Sequence, residues 1–178
     1  MSHASEQTGA DIIYDPVEPQ AWVVAHVRPR CEKKLELFCQ AESIPVYVPL
    51  KRSAHQYEGR VRVFMKPLFP GYVFCLCNPQ QKQTVKQNQY TANLLTVVNQ
   101  AALVHQLRQL VHALSVGDAV EVMPYLEKGK RVRVTGGPFK GLEGIVERIA
   151  QKTNVVISIE MIQQSVFMEV DGMFVEAV

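Results

Sequence analysis

Hydrophobic positions along this chain fall into short runs whose period changes from place to place. Trp22-Val23-Val24-Ala25-His26-Val27 is a compact β-rich run and predicts a strand. Arg28-Pro29 interrupts it, with the proline suited to a helix's first turn. Over residues 30–42, Cys31, Leu35, Phe38 and Cys39 recur at helical spacing and predict an amphipathic helix. Ile44-Pro45-Val46-Tyr47-Val48-Pro49 is extended. Residues 51–60 are polar around a Glu58-Gly59 turn signal and read as a hairpin tip. Val61-Arg62-Val63-Phe64 and Tyr72-Val73-Phe74-Cys75-Leu76 read as strands, joined through Pro67-Leu68-Phe69-Pro70-Gly71. Residues 79–90 are weakly helical and 94–98 form a short strand. Residues 101–114 place Leu103, Leu107, Leu110, Val111 and Leu114 on one helical face.

After residue 129 only short β-rich runs occur, at 131–135, 143–149, 154–159, 165–170 and 173–176. Five such strands are what a small SH3-like barrel needs. The expected fold class is α+β: an N-terminal antiparallel sheet with packed helices, plus a small C-terminal all-β barrel. The expected organisation is a flexible acidic tail over 1–20, a first domain over 21–114, a linker over 115–128 and a second domain over 129–178. Gly117-Asp118-Ala119-Val120-Glu121-Val122 resembles Gly129-Lys130-Arg131-Val132-Arg133-Val134, a similarity we attribute to chance.

Composition narrows the class. The 178 residues are 47% hydrophobic and 20% charged, enough for a globular core. The net charge of +2 argues against a general nucleic-acid coat, but its distribution is uneven. Between Arg28 and Lys66 nine bases face four acids, the arrangement expected near phosphates or an acidic partner. No apolar run is long enough to span a membrane, and the acidic first twenty residues lack the pattern of a secretory signal. Four cysteines without an export signal are expected as reduced thiols, and the chain as a cytoplasmic monomer.

Two motifs carry most of the meaning. In Leu68-Phe69-Pro70-Gly71-Tyr72-Val73-Phe74, prolines and a glycine sit inside a crowd of apolar rings. One strand face there is expected in the core and the other as an exposed aromatic patch for a protein partner. Arg131-Val132-Arg133-Val134-Thr135-Gly136-Gly137-Pro138-Phe139-Lys140-Gly141-Leu142-Glu143-Gly144-Ile145-Val146 is a strand, a glycine turn and a second strand. Gly141 and Gly144 mark places where the backbone bends or is closely approached. The second motif resembles a KOW motif. Trp22-Val23-Val24, the basic helix start, Tyr47-Val48-Pro49 and the Phe-Pro-Gly-Tyr segment are similar in order and spacing to the N-terminal domain of the NusG family.

That resemblance covers residues 21–178 and implies a transcription elongation and antitermination factor. It implies a first domain that docks on the clamp helices of RNA polymerase's largest subunit through Phe69, Pro70, Gly71, Tyr72 and Phe74. It implies a KOW domain that recruits a ribosomal protein or the Rho terminator; the matching residues are Glu160, Met161 and Ile162. Family members carry an aromatic residue there, and Glu160 stands roughly in its place. The loop of residues 86–93 also lacks the family's Pro-Gly turn, where a second polymerase contact is made. The Pro124-Tyr125-Leu126 approach to the KOW strand and the Gln164-Ser165-Val166 stretch resemble specialised paralogues more than a general factor coupled to the ribosome or Rho. A stand-alone KOW protein binding RNA or the ribosome is the rival from another class.

Arg28, Arg30, Lys33 and Lys34 cluster where strand meets helix, and Lys51, Arg52, Arg60 and Arg62 bracket the hairpin. Arg28, Arg30, Lys33, Lys34, Arg60 and Arg62 are the candidate contacts to DNA of the transcription bubble. Cys75 and Cys77 lie on one strand face, with Cys31 and Cys39 on a helix, but the spacing is poor for a metal. His105 and His112 have no partnering motif, and no phosphate loop, nucleophile elbow or dinucleotide fingerprint occurs. The expectation is a protein that is not an enzyme and uses no cofactor or metal.

Overall fold

The computed structural model describes residues 12–178 apart from 58, 118–119, 126–128 and 150. What was expected of the tail up to residue 11, of Glu58 and of linker positions 118–119 and 126–128 lies outside the described residues. Two compact units are present. One comprises Pro16–Leu103 with Glu160–Gln164; the other comprises Val104–Ile159 and Ser165–Val178, with the segment ending at Asp15.

In the first unit the chain runs through β1 (Ala21–Val27), α1 (Glu32–Ala41), β2 (Val46–Tyr47), β3 (Leu50–Tyr57), β4 (Arg60–Pro67), β5 (Tyr72–Cys77), α2 (Pro79–Gln87) and β6 (Thr91–Thr96). α3 (Gln100–Val116) begins here. An antiparallel sheet of order β2-β5-β1-β6 is its frame. On one sheet face Val23, Ala25 and Val27 join Val73, Cys75 and Cys77, and Leu35, Cys39 and Val85 complete the cluster. On alternate positions Trp22, Val24, Phe74 and Leu76 are buried as well, so both faces of β1 and β5 are covered. Each such fully buried large apolar side chain contributes about 1.5–3 kcal/mol of transfer free energy.

Local chemistry explains the helices. α1 buries only Glu32, Leu35 and Cys39, a narrow stripe that matches the sequence periodicity. α2 buries Val85 alone, but a reciprocal capping box between Asn78 and Gln81 and a proline in its first turn start it. Beyond α2, the Asn88 side chain accepts the Tyr90 N–H at 2.9 Å. An Asx turn therefore makes the bend for which no proline or glycine is present. Gln100, the first residue of α3, closes the end of β1: its side chain accepts from Trp22 N at 2.8 Å and donates to Trp22 O at 2.9 Å.

β3 and β4 differ from expectation. The polar stretch read as a hairpin tip is mostly strand, and the two strands pair with each other from Leu50↔Pro67 to Tyr57↔Arg60 as a separate two-stranded ribbon. None of their described residues is buried.

The second unit holds β7 (Glu121–Pro124), β8 (Lys130–Val134), β9 (Glu143–Ile149), β10 (Lys152–Ile159), β11 (Gln164–Glu169) and β12 (Val175–Ala177). They form one sheet of order β12-β8-β9-β10-β11-β7, the C-terminal all-strand module expected. Val132, Val134, Leu142, Val155, Val156, Ile159, Val166 and Met168 are among its buried residues. A Cβ at Gly144 would stand 2.4 Å from the Val156 carbonyl oxygen, the close approach foreseen there, while Gly141 supplies the bend with φ 89.

Two segments depart from their expected character. β7 lies inside the stretch read as linker and is an edge strand of the sheet. Both members of the Gly117/Gly129 similarity thus contribute strands to one sheet. In the stretch read as tail, Ile13 is buried, and Arg108 donates to the Ile13 carbonyl and to the Asp15 carboxylate, both at 3.0 Å.

Candidate functional site

The Phe-Pro-Gly-Tyr turn is held from three directions. Tyr72 N donates to the Phe69 carbonyl at 3.2 Å, and Val27 N donates to the Gly71 carbonyl at 2.8 Å. The third bond comes from α1: the buried Glu32 carboxylate accepts Gly71 N–H at 2.7 Å. Gly71 adopts φ 90, a left-handed conformation that a Cβ would strain. The result is a rigid turn that presents the half-buried Tyr72 beside the exposed His26, with ring centroids 5.3 Å apart.

The expected aromatic patch is smaller than the sequence implied. Phe69 is 1% exposed and Phe74 0%, so neither ring offers free surface; both faces of β5 are covered rather than one. Phe74 packs near Tyr47, with centroids 6.4 Å apart, and burial pushes the Tyr47 hydroxyl above the usual phenol range. Pro70 is exposed, and Tyr72 is the one partly exposed ring of the motif.

All six candidate nucleic-acid residues are exposed, and the structure joins their two clusters. Lys33 Nζ donates to the Met65 carbonyl at 3.1 Å, tying the start of α1 to the base of the β3–β4 ribbon. Lys34 Nζ stands 5.8 Å from the Tyr90 ring centroid. Lys33 and Lys34 lie in the first turn of α1, where the helix dipole disfavours cations, and Arg30 has φ 61, which costs a non-glycine residue. The basic cluster is therefore kept at some expense to the helix. Lys51 and Lys66, opposed across the ribbon, belong to the same surface although the sequence reading did not single out Lys66.

Between β10 and β11, Glu160–Ile162 form a single 3-10 turn closed by Gln163, whose N–H donates to the Glu160 carbonyl at 3.1 Å. Glu160 is exposed, Met161 is half-buried and Ile162 is buried, so Ile162 offers no free surface. In the second unit Arg133 and Glu143 pair across β8 and β9, with Nε to Oε1 at 2.8 Å; that bond holds the Glu143 carboxyl below its ordinary range. A cleft of about 500 Å³ opens between Lys130, Val132, Arg148 and Val175.

The cysteines are core residues. Cys39 Sγ and Cys75 Sγ lie 3.9 Å apart, Cys77 is buried beside them, and Cys31 is half-buried. The hydrogen bond to Cys39 and burial push the Cys75 thiol well up, and burial pushes Cys77 up to about 12. Among the described residues no group of three or more His, Cys, Asp or Glu is arranged to hold a metal. Nor is any helix among them long and apolar enough to cross a membrane.

Comparison with known proteins agrees with this architecture. A family described as transcription termination factor nusG matches residues 20–123, and the KOW motif matches residues 128–160. The transcription termination/antitermination protein NusG of Borreliella burgdorferi is 20% identical over 185 residues, which cover 89% of this chain and 99% of the relative. A solved structure of Thermotoga maritima NusG, concerned with its domain interaction, shares the fold with a TM-score of 0.50 at 18% identity, over 89% of this chain and 97% of that one. A sheet with three helices followed by an all-strand KOW module is the architecture of the NusG-type transcription factors. The chain belongs to the NusG family.

Proposed function

We propose that this protein is a specialised elongation and antitermination factor, cytoplasmic, monomeric and non-enzymatic. Its first unit grips the clamp helices of RNA polymerase's largest subunit. The observation that carries this is the turn at Gly71, fixed by Glu32 and displaying Tyr72 next to His26. Phe69, Pro70, Gly71 and Phe74 belong to the same grip, the two buried phenylalanines acting as its foundation and Tyr72 as its contact. Aromatic anchors on a rigid base bind with little loss of side-chain freedom. Binding across the polymerase cleft favours the closed, pause-resistant state, a population shift rather than a chemical step.

Arg28, Arg30, Lys33, Lys34, Arg60 and Arg62 contact DNA of the transcription bubble; their exposure and the Lys33–Met65 bond that joins them into one surface support this. The KOW module recruits a further factor, a ribosomal protein or Rho among the candidates, through Glu160 and Met161, with Ile162 anchoring the turn. Capture of polymerase by the full chain tests the reading. Tyr72→Ala is expected to lower capture at least tenfold while the protein stays folded. Undiminished capture overturns the clamp assignment.

A further inference from the structure

The β3–β4 ribbon has two chemically distinct faces. In an antiparallel pair, residues directly opposite each other point to the same side. The register places Tyr57↔Arg60, His55↔Arg62, Ser53↔Phe64 and Lys51↔Lys66 on one face. The other carries Gln56↔Val61, Ala54↔Val63, Arg52↔Met65 and Leu50↔Pro67.

The first face combines four permanent cations with three rings. No carboxylate stands on it among the described residues. The rings form a connected row: His55 lies 6.4 Å from Tyr57 and 6.2 Å from Phe64, centroid to centroid. Tyr57 is 58% exposed and Phe64 41%, so their π-faces are accessible to a ligand. Lys66 Nζ reaches His55 Nε2 at 2.7 Å and Ser53 Oγ reaches the same nitrogen at 3.1 Å, which sets cation and ring side by side.

This composition works against the ribbon's own stability. Like charges directly opposed, as Lys51 and Lys66 are, destabilise a strand pair, and a two-stranded ribbon is marginal to begin with. What such a face complements is a polyanion that also exposes flat apolar surfaces. Duplex DNA offers phosphates but hides its bases in the stack; a single strand offers both.

We propose that this face binds single-stranded nucleic acid, with unpaired bases stacked on Tyr57, His55 and Phe64 and phosphates neutralised by Lys51, Arg60, Arg62 and Lys66. The inference deepens the proposed contact with the transcription bubble and rests on that reading. It adds the ligand's strandedness and the residues that sense it. The opposite face, with Val61 66% exposed, takes no part.

Fluorescence anisotropy with the full-length protein tests this, using a labelled oligothymidine and, separately, a duplex of equal length. The single strand is expected to bind at least tenfold more tightly. Tyr57→Ala weakens single-strand binding by about fivefold or more, the loss of roughly one stacked base, and leaves the salt dependence unchanged. Arg60→Gln with Arg62→Gln flattens the slope of log affinity against log salt by about 1.4, two phosphates on a single strand. Val61→Ser changes neither. Equal affinity for duplex, indifference to Tyr57→Ala, or an equal loss from Val61→Ser overturns the inference. Displacement by polyglutamate as effective as by unlabelled oligonucleotide also overturns it and assigns the face to an acidic protein. Polymerase capture by the unaltered chain separates the two readings: capture without any preference for the single strand sinks this inference and spares the clamp assignment.

Discussion

Glu32 in the first turn of α1 and Gly71 between β4 and β5 are joined by a 2.7 Å hydrogen bond, although 39 positions separate them. A buried carboxylate holding a backbone N–H is a charge-assisted bond, and losing it leaves that N–H without its partner. Glu32→Ala is expected to lower unfolding free energy by about 1.5–3 kcal/mol. Glu32→Gln keeps an acceptor and should cost clearly less. Urea unfolding followed by the fluorescence of Trp22, the sole tryptophan, measures both. Equal losses would show that the bond's charge contributes nothing.

Tyr72 and Phe74 occupy one strand two positions apart yet should fail differently. Phe74 is fully buried, and Phe74→Ala is expected to cost about 3–5 kcal/mol through the cavity it leaves. Tyr72, half-buried, should cost far less stability while removing polymerase binding. Paired melts and capture assays on the two variants check the split. A stable Phe74→Ala protein would contradict the packing described.

The buried thiols set an alkaline limit. Cys77 is pushed from 9.0 up to about 12, so above pH 9 the unfolded chain releases that proton while the folded chain keeps it. Stability from this group is therefore fully present below pH 9 and falls as pH rises toward 12. The bond between Cys39 and Cys75 raises the Cys75 thiol and lowers the Cys39 thiol, so that pair acts in opposing senses and Cys77 is the group to test. Melting temperatures should decline as pH rises from 9 to 10.5, and Cys77→Ala should make the decline shallower even as it lowers the starting value. An unaltered slope would exclude Cys77 as its source.

In the C-terminal sheet, Gly144→Ala forces a methyl against the Val156 carbonyl of the neighbouring strand, at 2.4 Å. The expected cost is about 1–3 kcal/mol. Hydrogen exchange should show lost protection in β9 and β10. Wild-type protection there would mean that the strands part more easily than their register implies.

Much of this architecture was legible because burial writes a period into the chain. α1 and α3 announced themselves by helical stripes ending in Cys39 and Leu114, and the C-terminal strands by β-branched runs between glycines. β3 escaped because a ribbon with no buried side has no apolar alternation to display. Phe69 and Phe74 were placed on a patch because a strand with one wet face was assumed; β5 is covered on both, and alternation says nothing there. The Glu32–Gly71 and Cys39–Cys75 contacts join distant segments, and no local pattern encodes them. β7 was lost in a stretch too short and too polar to separate from a connector.

The absence of buried residues in β3 and β4 also bears on how this protein can change over generations. Substitutions elsewhere in the sheet must satisfy a packed interior, whereas the ribbon answers only to its own cross-strand pairs and to whatever it touches. Its sequence can drift, lengthen or be exchanged with that of a relative while the body of the molecule folds as before. Ligand preference is thus heritable as a module of some eighteen residues, from Leu50 to Pro67, and new preferences can arise without passing through an unfoldable intermediate.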